Sequence, residues 1–144
     1  MSSTALACTS PPMLDKVRVF EATLRQFPQA PITTYHLFHG GMYARTITLK
    51  KGVTITGALM KLATVVIISG DVTGGTNDGP VRITGYAVLP GAVGRKQTFY
   101  AHEDTQITML LPTAAKTVRE VEQEFTDEVL LSTVNENIIR VTGE

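Results

Sequence analysis

The stretch LKKGVTITGALMKLATVVIISGD, residues 49–71, decides the fold of this chain. From residue 53 to residue 62 the side chains alternate, which predicts a β-strand with Ala58, Met60 and Leu62 on its inward face. Residues 64–68 are almost all β-branched, which favours a second strand buried on both faces. The Gly-Asp pair that follows is typical of a turn. The chain is therefore predicted to be built around two adjoining strands.

Further strands are predicted on both sides of this stretch. They are separated by segments rich in glycine, proline, asparagine and lysine, which favour turns. Strands that follow one another without intervening helices indicate a β-sandwich or barrel. The predicted strands are 33–39, 42–49, 80–89, 97–100 and 106–111, and the turns are 40–41, 50–52, 70–79 and 90–91.

Two segments have helical rather than alternating spacing. Residues 13–27 carry apolar side chains at helical intervals, and prolines 28 and 31 follow, so a helix is predicted to pack across an open barrel end or on a neighbouring subunit. Residues 118–125 alternate apolar and acidic side chains at the spacing of a short amphipathic helix. The predicted buried residues are Val17, Phe20, Leu24 and Phe27 in the first helix, and Val118, Val121 and Phe125 in the second.

The two ends of the chain differ from the middle. Residues 1–12 are small and uncharged and finish in two prolines, so they are interpreted as an N-terminal arm. Residues 128–144 contain Val129-Leu130-Leu131 and Ile138-Ile139, which favours an added strand or an arm for a partner. The domain itself is predicted to span 13–127. Contacts outside the barrel are expected to order both arms.

Composition narrows the class of protein. The 144 residues suit one domain, and 13 basic and 13 acidic residues leave no net charge to attract nucleic acid or an anionic membrane. No apolar run reaches the length of a membrane span. The single cysteine, Cys8, excludes an intrachain disulfide and a cysteine-based zinc site. A soluble protein of a reducing compartment is expected, without nucleic-acid or membrane partners.

A set of short blocks, in order along the chain, resembles the small cupin-like jelly-roll proteins of tailed bacteriophages. The resemblance covers roughly residues 13–126, and it implies a mostly β, single cupin-like jelly-roll barrel with an N-terminal helix and a short C-terminal helix. The blocks are Gly41-Met42-Tyr43-Ala44-Arg45, Lys51-Gly52, Gly57, Ile67-Ile68-Ser69-Gly70-Asp71, Pro90-Gly91 and Tyr100-Ala101-His102-Glu103-Asp104-Thr105.

The chain departs from this family where cupins hold a metal. Counted from Gly52 by the general cupin spacing, the histidine positions fall on Ala58 and Met60 and the glutamate position on Thr64 or Val65. Aligned by the phage pattern, the histidine-like positions are Met60 and Thr64. The segment 90–94 also lacks the histidine expected soon after its Pro-Gly. A metal of this kind needs about three imidazole or carboxylate ligands. We therefore predict no metal, no cofactor and no enzymatic activity.

The remaining ionisable residues give no catalytic site by sequence. His36 and His39 point to opposite faces of one strand, and we interpret them as surface or rim residues. His102-Glu103-Asp104 precedes a strand, and Asp104 with Thr105 is expected to hydrogen-bond the loop's own backbone. Lys50-Lys51 and Arg95-Lys96 are interpreted as turn residues, too few for nucleic-acid binding.

Two functional hypotheses follow. The first is a structural or interaction protein that self-associates, a decoration or cement protein on a phage capsid surface, with the major capsid protein as a possible partner. The second is a small-molecule binder or enzyme in the host cytoplasm, because this fold often encloses a pocket.

Overall fold

The structure is a computed structural model that describes residues 5–128 and the backbone of residues 138–142. Within these ranges the chain forms two helices and eight strands. The predicted mostly β domain with an N-terminal helix and a short C-terminal helix is confirmed. The elements are α1 (Pro11–Leu24), β1 (Thr33–His39), β2 (Met42–Leu49), β3 (Thr54–Thr56), β4 (Thr64–Thr76), β5 (Gly79–Gly91), β6 (Thr98–Ala101), β7 (Thr105–Pro112), α2 (Val118–Phe125) and β8 (Ile138–Thr142).

The strands form one curled sheet in the order β3-β6-β4-β7-β2-β1-β8, with β5 on the other side of β4. β4 pairs with β5 from Thr64 to Thr76, along its whole length. Along its other edge it pairs with β7 as far as Ser69 and with β6 from Val72 onward. The change of partner surrounds Gly70, whose φ is 149°. One strand therefore belongs to both halves of the barrel.

The β1–β2 hairpin has the bounds that the sequence predicts. Its two-residue loop is Gly40-Gly41, with φ of 59° and 72°. Two-residue hairpin loops favour such positive values, which glycine adopts without strain. Along β1 the side chains alternate between buried and exposed, so one face of this hairpin lines the core.

The predicted strand over 53–62 is wrong beyond Thr56. β3 has three residues, and residues 57–63 run as irregular backbone. Their amides bond to other segments instead of to a strand partner: Gly57 to the Gln97 carbonyl at 2.7 Å and Met60 to the Arg95 carbonyl at 3.0 Å. Met60 is nonetheless buried. Alternation alone could not reveal that these partners are loops.

Two predictions for β4 are also wrong. Thr64, Val66 and Ile68 are buried while Val65 is exposed, so only one face of the strand is covered. The strand also continues through the glycine-rich segment, and the turn is confined to Asn77-Asp78. A Cβ at Gly75 would lie 2.6 Å from the Thr98 Oγ1 of β6. The glycines in β4 thus allow close packing of strands and do not mark a turn.

Helix α1 begins at Pro11, so the two prolines start the helix and do not close an arm. Proline is favoured in the first turn because its missing N–H needs no partner there. Ser10 is the N-cap residue, and its Oγ accepts a hydrogen bond from the Met13 amide at 3.4 Å. Of the predicted buried residues, Val17 is buried and Phe20 is exposed, and Phe27 lies beyond the end of the helix and is exposed.

Helix α2 matches its prediction. Val118, Val121 and Phe125 are buried against one end of the barrel, in a cluster with Tyr43 and Leu111. No helix in residues 5–128 or 138–142 has the length and apolar character of a membrane span.

The described parts of both arms lie on their own barrel. Leu6 is buried, its amide donates to the Pro90 carbonyl at 2.9 Å, and its carbonyl accepts from the Ala92 amide at 2.8 Å. At the other end β8 pairs in parallel with β1, beginning at Thr34 opposite Ile138. These contacts lie within one barrel, and the ordering of the arms by contacts outside it stays a prediction. Val129-Leu130-Leu131 lies outside the described residues.

Candidate functional site

A cavity of about 530 Å³ lies inside the barrel. Residues 24, 25 and 27–30, at the end of α1 and just after it, contribute to its lining, and Phe27 among them is 61% exposed. Its size lies within the range of small-molecule sites, roughly 300–1,000 Å³. Most of its wall is apolar, contributed by both halves of the barrel and including Ile47, Ile55, Val66, Phe99, Ile107 and Met109.

Two of the positions that the resemblance assigns to metal ligands line this cavity, whereas Val65 is exposed. Ala58 and Met60 line it, and Thr64 is buried at the start of β4. Within the described ranges no three histidine, cysteine, aspartate or glutamate side chains group as a metal site would require. The prediction that the chain binds no metal stays a prediction.

Arg95 is one of two buried arginines that line the cavity, together with Arg45. Its side chain lines the cavity although the residue is only 5% exposed. Nη2 donates to Thr64 Oγ1 at 2.6 Å, and Nη1 donates to the Ala92 carbonyl at 3.0 Å. A Cβ at Gly91 would lie 2.6 Å from the Arg95 Cζ, so the missing side chain makes room for the guanidinium. Burial lowers the pKa of Arg95 to about 10, which leaves it protonated at neutral pH.

Lys96, the next residue, does not line the cavity itself, but its hydrogen-bond and ion-pair partners do. Its ammonium is fully buried and forms ion pairs with Glu21 at 3.0 Å and Glu128 at 2.8 Å. It also donates to the Gly57 carbonyl at 2.9 Å. Two carboxylates and a carbonyl thus replace the water that this charge would have in solution. The contacts join α1, the loop after β3 and the end of α2 at one point.

A second polar cluster lies beside the cavity, between β1, β2 and α2. Arg45 lines the cavity and donates to Glu122 Oε2 at 2.9 Å and to the Tyr43 hydroxyl at 3.3 Å. That hydroxyl lies 2.6 Å from His36 Nδ1. Burial raises the pKa of Tyr43, although Arg45 acts in the opposite direction. His36 is therefore an internal residue, and its interpretation as a surface or rim histidine is wrong, whereas His39 is exposed.

His102-Glu103-Asp104 does not line the cavity. Asp104 Oδ1 accepts from the Lys51 amide at 2.9 Å, and this bond, with Lys50 and Lys51 nearby, keeps its pKa below the usual value despite partial desolvation. Thr105 Oγ1 donates to the Glu103 carbonyl at 2.9 Å. The Thr105 contact supports the expected bond to the loop's own backbone, whereas Asp104 bonds to the backbone of another turn, at Lys51.

The sequence did not reveal that Arg95 and Lys96 are buried at or beside the cavity. Lys50 and Lys51 are exposed, as a turn predicts, but Arg95 and Lys96 are buried. Charged dipeptides after a Pro-Gly are typical of surface turns, so burial could not be inferred from them.

No protein-family model matches the chain, and no curated protein matches it. Solved structures do match. Salicylate 1,2-dioxygenase from Pseudoaminobacter salicylatoxidans, in adducts with gentisate, gives a TM-score of 0.52 at 9% identity, over 86% of this chain and 38% of that chain. The fold is a cupin-like jelly roll. This likeness shows the fold alone.

Two further neighbours are cupin domains by description. A cupin 2 conserved barrel domain protein from Leptotrichia buccalis gives a TM-score of 0.49 at 15% identity, over 67% of this chain and 49% of that chain. The Cupin_2 domain of an XRE family transcriptional regulator from Enterobacter cloacae gives 0.48 at 12% identity, over 60% of this chain and 100% of that chain. The comparisons support the cupin-like part of the resemblance and do not point to bacteriophage proteins.

Proposed function

We propose that the chain binds a small molecule with an apolar body inside the barrel. The cavity of about 530 Å³ carries this proposal. A concave, mostly apolar cavity of this size is the arrangement expected of a ligand site. That the chain is not an enzyme stays a prediction beside this binding function.

A neutral fluorescent probe tests the proposal without presupposing a charge. The uncharged dye prodan is expected to bind saturably, near one per chain, with the blue-shifted emission of an apolar site. Ala58→Phe places a ring in the cavity from the irregular loop and is expected to weaken binding at least tenfold. Ala114→Phe, at an exposed residue away from the cavity, is the matched control. Unsaturable binding by the parent protein, or equal binding by Ala58→Phe, would count against the proposal.

Self-association is the second candidate, and the outer face of the sheet supports it. The register of β5, β4, β7, β2 and β1 places rows of side chains across that face. None of the residues in the rows that cross all five strands is Asp, Glu, Lys or Arg. On β5, Tyr86 is 70% exposed and Val88 is 56% exposed. A contiguous uncharged face of this kind suits a second copy of the same face. Two of the rows are Val88-Ile67-Thr108-Thr46-Tyr35 and Pro90-Val65-Leu110-Ala44-Leu37.

Sedimentation velocity measures this association directly. The parent protein is expected to sediment as a dimer at micromolar concentration. Ile67→Lys with Val88→Lys puts two charges on adjacent positions of the outer face and is expected to give monomer. Lys116→Glu, at an exposed residue outside the outer face, is expected to leave the dimer intact. A monomeric parent protein would remove this candidate.

The role of capsid decoration or cement protein rests on self-association. A neutral face that pairs copies of the chain is compatible with a shell lattice. The outer face supports the self-association and not the capsid role itself. A virion location, a major capsid protein partner and the alternative of the host cytoplasm stay proposals. The copy number of the chain in purified particles, relative to the shell protein, would test them.

A further inference from the structure

We propose that the ligand of the cavity carries a carboxylate and that Arg95 binds it. This inference rests on the proposed function of the barrel as a small-molecule site. It deepens that function by naming the chemical class of the ligand, an apolar monocarboxylic acid. Three observations carry it: the balance of charges around the cavity, the seating of the guanidinium, and the apolar wall that faces it.

The charges at the cavity are compensated except for Arg95. Lys96 and Arg25 offset the two carboxylates of Glu21 and Glu128, at 3.7 Å or less. Arg45 is likewise joined to Glu122, at 2.9 Å. Within residues 5–128, Arg95 has no acidic partner: its contacts are the Thr64 hydroxyl and a backbone carbonyl. One positive charge inside the barrel therefore remains to be neutralised.

Hydrogen bonds hold the guanidinium of Arg95 in place and use only part of its N–H donors. Thr64, Ala92 and Gly91 fix its plane by two hydrogen bonds and a close backbone contact. An arginine has five N–H donors, and two of them are used by these described partners. The other three N–H groups have no described hydrogen-bond partner, and we assign them to the carboxylate of the ligand. A seated, planar guanidinium is suited to two parallel hydrogen bonds from a carboxylate.

A buried charge without a partner lowers the stability of a fold. Its presence at Arg95 therefore favours a functional role for the guanidinium. Removing Arg95 strands no other charge, because its described partners are neutral. Arg95→Met is therefore expected to fold and to melt no lower than the parent protein. This behaviour separates Arg95 from Lys96, whose loss would leave carboxylates uncompensated.

The wall around Arg95 selects among anions. A carboxylate brings one negative charge, which one guanidinium neutralises. A phosphate monoester brings about 1.5 to 2 charges at neutral pH, and the apolar wall would have to bury the excess. The rest of the ligand meets side chains such as Val66, Phe99 and Ile107, which favour a hydrocarbon body. An alkyl or aromatic monocarboxylate satisfies both requirements.

Isothermal titration with octanoate, octanol and octyl phosphate tests this class. The parent protein is expected to bind octanoate at least tenfold more tightly than octanol or octyl phosphate. Arg95→Met is expected to remove the preference for octanoate and to change octanol binding less than threefold. Arg119→Met, which removes an exposed arginine of α2, is the control for general charge effects and is expected to match the parent protein.

Each outcome is decisive, and the two proposals fail separately. Octanol binding at least as tight as that of octanoate would overturn the carboxylate assignment and leave the barrel as a small-molecule site. Octyl phosphate binding most tightly would also overturn it, in favour of a phosphate ligand. An octanoate preference that survives in Arg95→Met would remove Arg95 from the site. No binding of octanoate, octanol or prodan would overturn both proposals.

Discussion

Replacing Lys96 with methionine is expected to lower the free energy of unfolding by about 3 kcal/mol, the lower end of the range for breaking a buried ion pair. The ammonium of Lys96 is completely buried between Glu21 and Glu128. Methionine keeps most of the apolar stem and removes the charge, so the two carboxylates lose their shared cation. Their side chains keep 16% and 27% exposure, which lets water offset part of the loss. Urea denaturation at neutral pH measures the difference.

Lys61 provides the matched control for this substitution. It pairs with Asp127 at 2.8 Å, and both side chains are largely exposed. Surface ion pairs contribute about 0–1 kcal/mol, so Lys61→Met should fall within that range. Equal effects of Lys61→Met and Lys96→Met would mean that the buried contacts add nothing beyond a surface pair, contrary to this account.

The effect of Lys96→Met should also depend on pH. Burial alone would raise the pKa of Glu128, but Lys96 and the Leu59 amide outweigh it and hold the pKa below its usual 4.5. A carboxyl with a lowered pKa stabilises the fold above its unfolded value, and this contribution disappears as the pH falls through the folded pKa. The difference in unfolding free energy between parent and variant should therefore shrink below about pH 4.5. A difference that stays constant from pH 7 to pH 3.5 would argue against the ion pairs as its cause.

The parts of the fold that the sequence predicts are those governed by local pattern. Gly40-Gly41 marks the turn between β1 and β2, and α2 has three apolar residues at helical spacing. Their bounds or buried faces therefore follow from short windows of sequence. Prediction from local pattern fails for residues 57–63. They alternate as a strand does, but their amides bond to carbonyls at Arg95, Gln97 and Phe125, which lie far away in sequence. Periodicity reports which side chains share a face and does not report the backbone partner.

The candidate site is harder to predict because its chemistry comes from convergence. The sequence correctly places Met60 and Thr64 in the interior. It gives no indication that Arg95, after a Pro-Gly and beside a lysine, turns inward and meets Thr64. The burial of Arg95 depends on the space that the missing side chain at Gly91 leaves for the guanidinium. A burial that depends on a missing Cβ in another segment has no local signature.

Gly70→Ala is expected to cost about 4 kcal/mol, the sum of a strained backbone and a clash that side-chain rotation cannot relieve. Gly70 lies where β4 leaves β7 and joins β6, with φ of 149°. An added Cβ would lie 2.8 Å from the Thr105 Cα and would also clash with the Thr105 Oγ1. Relief would require β7 to move away, and Thr105 Oγ1 would then lose its bond from the Asp71 amide. Thermal and urea unfolding measure the loss.

Gly79→Ala separates the two contributions to this cost. Gly79 has φ of 112°, and an added Cβ there would meet nothing within 4 Å. Backbone strain is then the main penalty, about 1–2 kcal/mol. The excess cost of Gly70→Ala over Gly79→Ala therefore measures the close approach of β4 to β7. Equal costs would mean that Thr105 yields easily, and that the corner of the barrel does not depend on a glycine at residue 70. A larger cost at residue 70 would identify this contact as the constraint that lets one strand serve both halves of the barrel and so encloses the cavity.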